Sequence, residues 1–220
     1  MLLLTFPTIQ ERLAQASSPM SGASFCPEQQ RRPSAVAMIL RNGGSGLEVL
    51  FIERARHPRD PWSGNIGFPG GRFDETDSSL RHTAERETDE EVGITLATSA
   101  DYLGRLPDIV GANLPVRVSC FVYGLGGDVQ TVLSDEVQDL FWTPLSHLIS
   151  PQHHAITDVH FGDVIRAVPA INLGYADKPV LWGITYRLVG QFCQRVVDSE
   201  YGPLPFLPHA GEQPVQPISP

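Results

Sequence analysis

The sequence predicts an α/β (α+β) domain in which a β-sheet is sandwiched between helices. Two apolar runs, Ala35 to Leu40 and Leu47 to Ile52, flank Asn42-Gly43-Gly44-Ser45-Gly46 and read as a hairpin. Their apolar character is almost continuous, which suits strands covered on both faces. One helix is expected to start at Asp77 and Ser78 and to stop at Gly93. A second is expected from Trp182-Gly183 onward, where apolar residues at 184, 188, 189, 192, 193, 196 and 197 make a helical stripe. A helix on each side of the sheet satisfies the strands.

Taken in order, residues 1–34 read as an N-terminal extension and linker, with a short amphipathic stretch from Ile9 to Leu13 and then a run rich in Ser, Pro and Gln. The domain itself is expected over 35–198. After the first hairpin comes a basic loop with Arg54, Arg56, His57 and Arg59, then the turn Phe68-Pro69-Gly70-Gly71. Beyond the first helix, Tyr102 to Leu106 reads as a short strand, Pro107 to Pro115 as a loop, and Val116 to Tyr123 as a strand. Asp108 and Asn113 in that loop face either substrate or water. Leu140 to Leu145 is an aromatic-rich strand end, and Ser146 to Ser150 a short helix ended by Pro151. His153 and His154 are expected in an exposed loop near His160, without the partners a zinc site needs. Val164 to Leu173 and Val180-Leu181 form a hairpin around residues 174–178. Residues 199–220 are a proline-rich tail.

Composition bounds the function. A chain of 220 residues with 41% hydrophobic and 19% charged content supports one domain with tails and a substantial core. A net charge of -9 with no lysine or arginine block argues against a surface that works by neutralising nucleic-acid phosphates. No apolar run reaches transmembrane length, and Met1-Leu2-Leu3-Leu4 is too short for a signal peptide. Cys26, Cys120 and Cys193 are few, odd in number and widely spaced, as reduced thiols are. A soluble cytoplasmic protein with no nucleic-acid or membrane partner is expected.

The chemistry concentrates between Gly67 and Ile94. Glu87, Glu90 and Glu91 stand at i, i+3 and i+4, so a helix puts all three carboxylates on one face. Like charges at that spacing repel, and the cluster calls for a solvated surface or a cation. Carboxylate oxygens hold hard divalent ions such as Mg2+ or Mn2+ best. The glycine turn lets backbone approach a ligand or offer it a carbonyl. Arg54, Arg56, Arg59 and, with less weight, Arg72 sit where guanidinium forks can clamp diphosphate oxygens. Trp62 either stacks on a ring or packs within its own loop.

Arg86-Glu87-Thr88-Asp89-Glu90-Glu91-Val92-Gly93-Ile94, preceded by the glycine turn, resembles the Nudix hydrolase signature. The interval from Gly71 to Arg86 is one residue longer than the general family spacing, and Thr88 occupies a usually aliphatic position. That longer interval is similar to the coenzyme A diphosphatase branch. Phe68-Pro69-Gly70-Gly71, Asp74, Asp77, Ser79, Thr83-Ala84 and Arg86-Glu87 follow the branch pattern, with Glu85 at an often apolar place. The upstream stretch from Arg54 to Gly64 departs from the branch.

The resemblance implies a mixed sheet between helices and a Mg2+- or Mn2+-dependent hydrolase of nucleoside diphosphate derivatives, with coenzyme A or its thioesters foremost. Other diphosphates (ADP-ribose, NADH, dinucleotide polyphosphates) are alternatives, as is a non-catalytic nucleotide-binding module. It implies Glu87, Glu90 and Glu91 as metal ligands with the Gly70 carbonyl, and Arg86 as the group that fixes a carboxylate rotamer. Glu136, on the loop before the Leu140 strand, is either a further catalytic or metal-binding glutamate or a structural cap, and either it or one of the helix glutamates takes the water proton. The Trp182 to Arg187 stretch also recurs in that branch, and a homodimer is plausible.

Overall fold

The computed structural model describes residues 4–16, 32–57, 63–111, 116–161, 164–197 and 205–206. The elements run α1 (Phe6–Ala16), β1 (Arg32–Gly43), β2 (Gly46–Arg54), β3 (Ile66–Gly67), β4 (Gly70–Arg72), α2 (Leu80–Val92), α3 (Leu96–Ser99) and β5 (Ala100–Arg105). They continue with β6 (Ile109–Val110), β7 (Val116–Leu125), β8 (Val137–Pro144), α4 (Leu145–Leu148), a 3-10 turn (Pro151–His153), β9 (His154–Phe161), β10 (Val164–Ile171), β11 (Leu181–Trp182) and α5 (Gly183–Val196).

Eight strands form a mixed sheet in which β1 and β7 are parallel and the other pairs antiparallel. The hairpin of β1 and β2 pairs only from Leu40–Gly43 to Gly46–Val49. Past that point β7 still holds one edge of β1 and β8 still holds one edge of β2. The facing edges are therefore open, and they are filled by β4 on β1 at Ser34–Val36 and by β3 on β2 at Ile52 and Glu53. The glycine turn is thus wedged into a split in the sheet. That wedge puts its backbone beneath α2, which crosses β1 and β4.

Alternation along the strands separates two cores. Leu50 and Ile52 point to the α2 side, where they join Ala35, Ala37, Ile39, Ala84, Val92, Phe121 and Tyr123. Val49 and Phe51 point the other way, into a larger cluster with Met38, Leu40, Cys120 and Val122. α1 covers this side through Ile9 and Leu13, and α5 through Tyr186, Leu188, Val189, Phe192 and Cys193. Burial pushes the Cys120 thiol up to about 12, so it is an inert packing group.

A smaller sheet, β11-β10-β9, corrects the reading of residues 153–161. His154 begins a strand that pairs with β10 along its whole length, and β10 takes β11 only at Ala170 and Ile171. The alternation along residues 154–160 is weak because neither face is deeply buried there, so pairing rather than hydrophobic pattern defines the strand. His153 is half-buried, its ring stacked on His147 with centroids 3.6 Å apart, while His154 Nε2 bonds the Leu148 carbonyl at 2.8 Å. Ile109–Val110, expected within a loop, pairs with β7. Lys178, on the loop after β10, reaches Glu53 at 2.9 Å and Asp139 at 2.7 Å and ties the small sheet's connection to the rim of the large one.

Candidate active site

α2 starts one residue later than its sequence suggests. Ser79 is the N-cap and accepts a hydrogen bond from the His82 N–H at 3.1 Å, and Gly93 ends the helix in the left-handed region at φ 72°. Asp77 is not a cap. It lies buried beneath Arg86, which donates to both its oxygens, Nε to Oδ1 at 2.9 Å and an Nη to Oδ2 at 3.0 Å. Thr83 Oγ1 donates to the same carboxylate at 2.8 Å, as does the Asp74 N–H at 3.0 Å. With the Arg86 guanidinium against it, Asp77 is held well below the usual carboxylate range.

Arg86 is the hub of the face. Besides Asp77 it reaches Glu90 Oε2 at 2.8 Å, Glu87 Oε1 at 3.0 Å and the Arg72 carbonyl at 3.4 Å. Glu91 turns the other way. It is buried, accepts the Gly70 N–H at 2.9 Å and faces Arg54 at 3.5 Å. Burial pushes its carboxyl up to about 7, against the pull of the Gly70 N–H and Arg54. Burial also raises Glu87, opposed by Arg86 and reinforced by Glu90 and Glu136. The structure thus brings Gly70 to the site through its N–H, and places Glu136 in the electrostatic field of both Glu87 and Glu91.

Close backbone approach explains the glycines. A Cβ on Gly71 would lie 2.4 Å from the Glu87 carboxylate carbon, and one on Gly70 would lie 2.3 Å from the Ala35 carbonyl oxygen. The two off-pattern helix residues are also accounted for. Thr88 is buried and donates Oγ1 to the Ala84 carbonyl at 2.7 Å, which satisfies its hydroxyl in an apolar layer. Glu85 accepts from Arg81 at 2.8 Å and from the Tyr123 hydroxyl at 2.9 Å.

The basic residues divide. The β2–β8 register shifts between Glu53 and Arg54, a bulge of the kind that re-aims side chains at a sheet rim, and Arg54 there faces Glu91. Arg72 lines a cavity of about 470 Å3 together with Phe73, Asp74, Thr76, Arg86, Glu87 and Glu90. Arg56 is exposed and does not line it. Arg59, Trp62, Asn113 and Cys26 lie outside the described residues. Asp108 is half-buried and held in an ionic cluster. Its carboxylate gathers Arg105, Arg117 and, at 2.8 Å, the Ser119 hydroxyl.

The Glu136 carboxylate caps nothing among the described residues. In its turn the capping oxygen is Ser134 Oγ, which accepts the Glu136 N–H at 3.3 Å, while the Glu136 carbonyl accepts the Ala55 N–H at 2.8 Å. Sequence reasoning missed two site features, the Asp77 clamp on Arg86 and Phe73 in the cavity wall. Nine residues separate Asp77 from Arg86, a span fixed by the fold of the connecting loop and by no helical period.

A Nudix-domain family model matches residues 31–162, more than half of the chain. The chain belongs to the Nudix hydrolase family. A probable Nudix hydrolase of Schizosaccharomyces pombe is 29% identical over 172 residues, covering 76% of this chain and 57% of that protein. The peroxisomal coenzyme A diphosphatase of Caenorhabditis elegans is 36% identical over 130 residues, covering 58% of this chain and 55% of that one. The chain therefore spans a little over half the length of both relatives. Among solved structures, a MutT/Nudix family protein from Enterococcus faecalis shares the fold with TM-score 0.51 at 16% identity, over 87% of this chain and 70% of that one. No helix of the described residues is long and apolar enough to cross a membrane.

The donor set suits a hard cation in kind: three carboxylates of one helix, one of them raised by burial. Among the described residues, no three acidic, His or Cys groups converge into a finished cation cage. Arg86 spans Glu87 and Glu90 while Glu91 is turned toward Gly70, which is why the three are spread.

Proposed function

We propose that the protein hydrolyses the diphosphate linkage of a nucleoside diphosphate derivative, and that coenzyme A or its thioesters are the substrate, yielding 3',5'-ADP and 4'-phosphopantetheine. The observation that carries this reading is the Asp77-clamped Arg86, which holds Glu87 and Glu90 at the wall of a nucleotide-sized cavity with Glu91 behind them. The resemblance to the nematode diphosphatase supports the choice of coenzyme A.

Glu87, Glu90 and Glu91 are the residues to hold Mg2+ or Mn2+, with Gly70 backbone alongside. Held there, such an ion would offset the charge of the diphosphate and help to activate water for attack. The chain's own groups do the rest. Asp77 fixes Arg86, and Arg86 fixes the rotamers of Glu87 and Glu90. Arg72, at the cavity wall, meets substrate phosphate, and Arg54, Arg56 and Arg59 are the further candidates for phosphate contact. Glu136, whose carboxylate caps nothing among the described residues and acts on Glu87 and Glu91, accepts the proton of the attacking water. We place this activity in the cytoplasm.

Product analysis on a panel of coenzyme A, 3'-dephospho-coenzyme A, ADP-ribose, NADH and diadenosine polyphosphates tests the reading. Preference for coenzyme A, silence in chelator and recovery with Mg2+ or Mn2+ are expected. Equal turnover of the whole panel removes the substrate assignment, and intact diphosphates throughout remove the hydrolase.

A further inference from the structure

Phe73 is 37% exposed, joins neither hydrophobic core, and stacks on no aromatic ring among the described residues. Isolated exposed hydrophobics are ordinary on protein surfaces, and this chain has others on its small sheet, such as Ile156 and Ile165. Phe73 differs from these in position and support. It is one of the residues that line the cleft of about 470 Å3 shared with Arg72, Glu87 and Glu90.

Its backbone is held on every side. The Phe73 N–H donates to the Pro33 carbonyl at 3.0 Å, and Arg72 before it pairs with Ser34 on β1. The Arg72 carbonyl takes Arg86, and the Asp74 N–H donates to buried Asp77. A partly exposed aromatic residue whose main chain is fixed loses little freedom when a flat ligand settles against it.

We propose that Phe73 is the stacking platform of a nucleobase subsite, so that the base of a nucleoside diphosphate lies on this ring while its phosphates run past Arg72 toward the α2 carboxylates. The inference rests on the diphosphate reading for the direction of the ligand, and it adds the residue that selects a ring-bearing ligand over a bare diphosphate. Base-on-aromatic stacking tolerates different bases, because each presents a π-face. Phe73 is therefore a contact for nucleotides as a class, and the choice among them falls to polar groups nearby.

Calorimetry in Mg2+ with two non-hydrolysable probes tests it: adenosine 5'-(α,β-methylene)diphosphate, and methylenediphosphonate, which has no base. Phe73→Ala should weaken the adenosine probe about tenfold and leave the base-free probe unchanged, a ratio in keeping with one lost stacking contact. Phe73→Trp should bind the adenosine probe at least as tightly as the wild type. The subsite is overturned if Phe73→Ala binds the adenosine probe like the wild type, if it loses both probes equally, or if the wild type prefers neither. Turnover of coenzyme A by the same preparations separates the two readings. A wild type that binds as expected yet cleaves nothing defeats the hydrolase and leaves the subsite standing; one that cleaves while Phe73→Ala binds normally defeats the subsite alone.

Discussion

The two faces of the large sheet are built from the same strands and do opposite work. On the α1 and α5 side, Phe51, Met38, Val122 and Phe192 meet in an apolar layer in which the thiols of Cys120 and Cys193 are fully buried. On the α2 side a thinner layer around Leu50, Ile52 and Ala84 gives way within a turn of helix to Asp77, Arg86, Glu87 and Glu91. The first face gains from every methylene it buries. The second keeps charges out of water and balances them against one another, which adds little net stability and breaks badly when one partner is lost. Stability and chemistry are therefore separable by face.

Mutations can break that division, and the largest effect is expected on the apolar side. Phe192→Ala should lower unfolding free energy by about 4 kcal/mol in urea titration while kcat of the folded fraction stays within about twofold. A fall in kcat without loss of stability would erase the distinction. Asp77→Asn belongs to both columns, because it strips Arg86 of its buried partner. A loss of about 3 kcal/mol and a roughly 10- to 100-fold fall in turnover are expected.

The pH dependence of stability follows from the same pair. The native Asp77 carboxyl is held below its unfolded value of about 4, so its contribution is complete above that pH and disappears as pH falls through the depressed native value. Wild-type stability should drop over that acid range, and the Asp77→Asn curve should be flatter there. Matching curves would show that Asp77 does not drive the acid limb.

Glu91→Gln should reduce kcat by about 100-fold, near 2.7 kcal/mol. In chelator above pH 7 it should leave stability equal or slightly raised, since the native carboxyl is pushed up to about 7 and its ionised form is the disfavoured one there. Unchanged kcat would remove Glu91 from the metal set. The smallest effect is expected from Ser79→Ala, which loses the α2 cap at about 1 kcal/mol and leaves KM for substrate unaltered.

Much of this was legible in the chain itself. The hairpin, the carboxylate face of α2 and its Gly93 stop follow from local pattern, because apolar runs, helical spacing and a left-handed cap are short-range facts. The partners of those residues are not short-range. Asp77 looks like a helix starter until the connecting loop folds back over Arg86, and Arg54 looks like one of several basic residues until a bulge turns it to Glu91. β9 was hidden because its pairing with β10, and no apolar stripe, makes it a strand. Asp108 shows the same limit: Arg105 is near in sequence, but Arg117 and Ser119 reach it from β7, a separate strand.

The wedge of Gly70 and Gly71 into the split sheet also bears on how this chain can change over generations. Every other amino acid carries a Cβ, which at Gly70 meets the fixed Ala35 carbonyl at a backbone φ of 148°, and at Gly71 displaces the end of the Glu87 side chain from its place. Gly126 and Gly127, with open space around them, are free to drift. Heritable variation around this pocket must therefore enter through side chains such as Arg72 and Phe73 and leave the adjoining main chain alone, which lets ligand preference diverge while the turn that seats α2 stays constant.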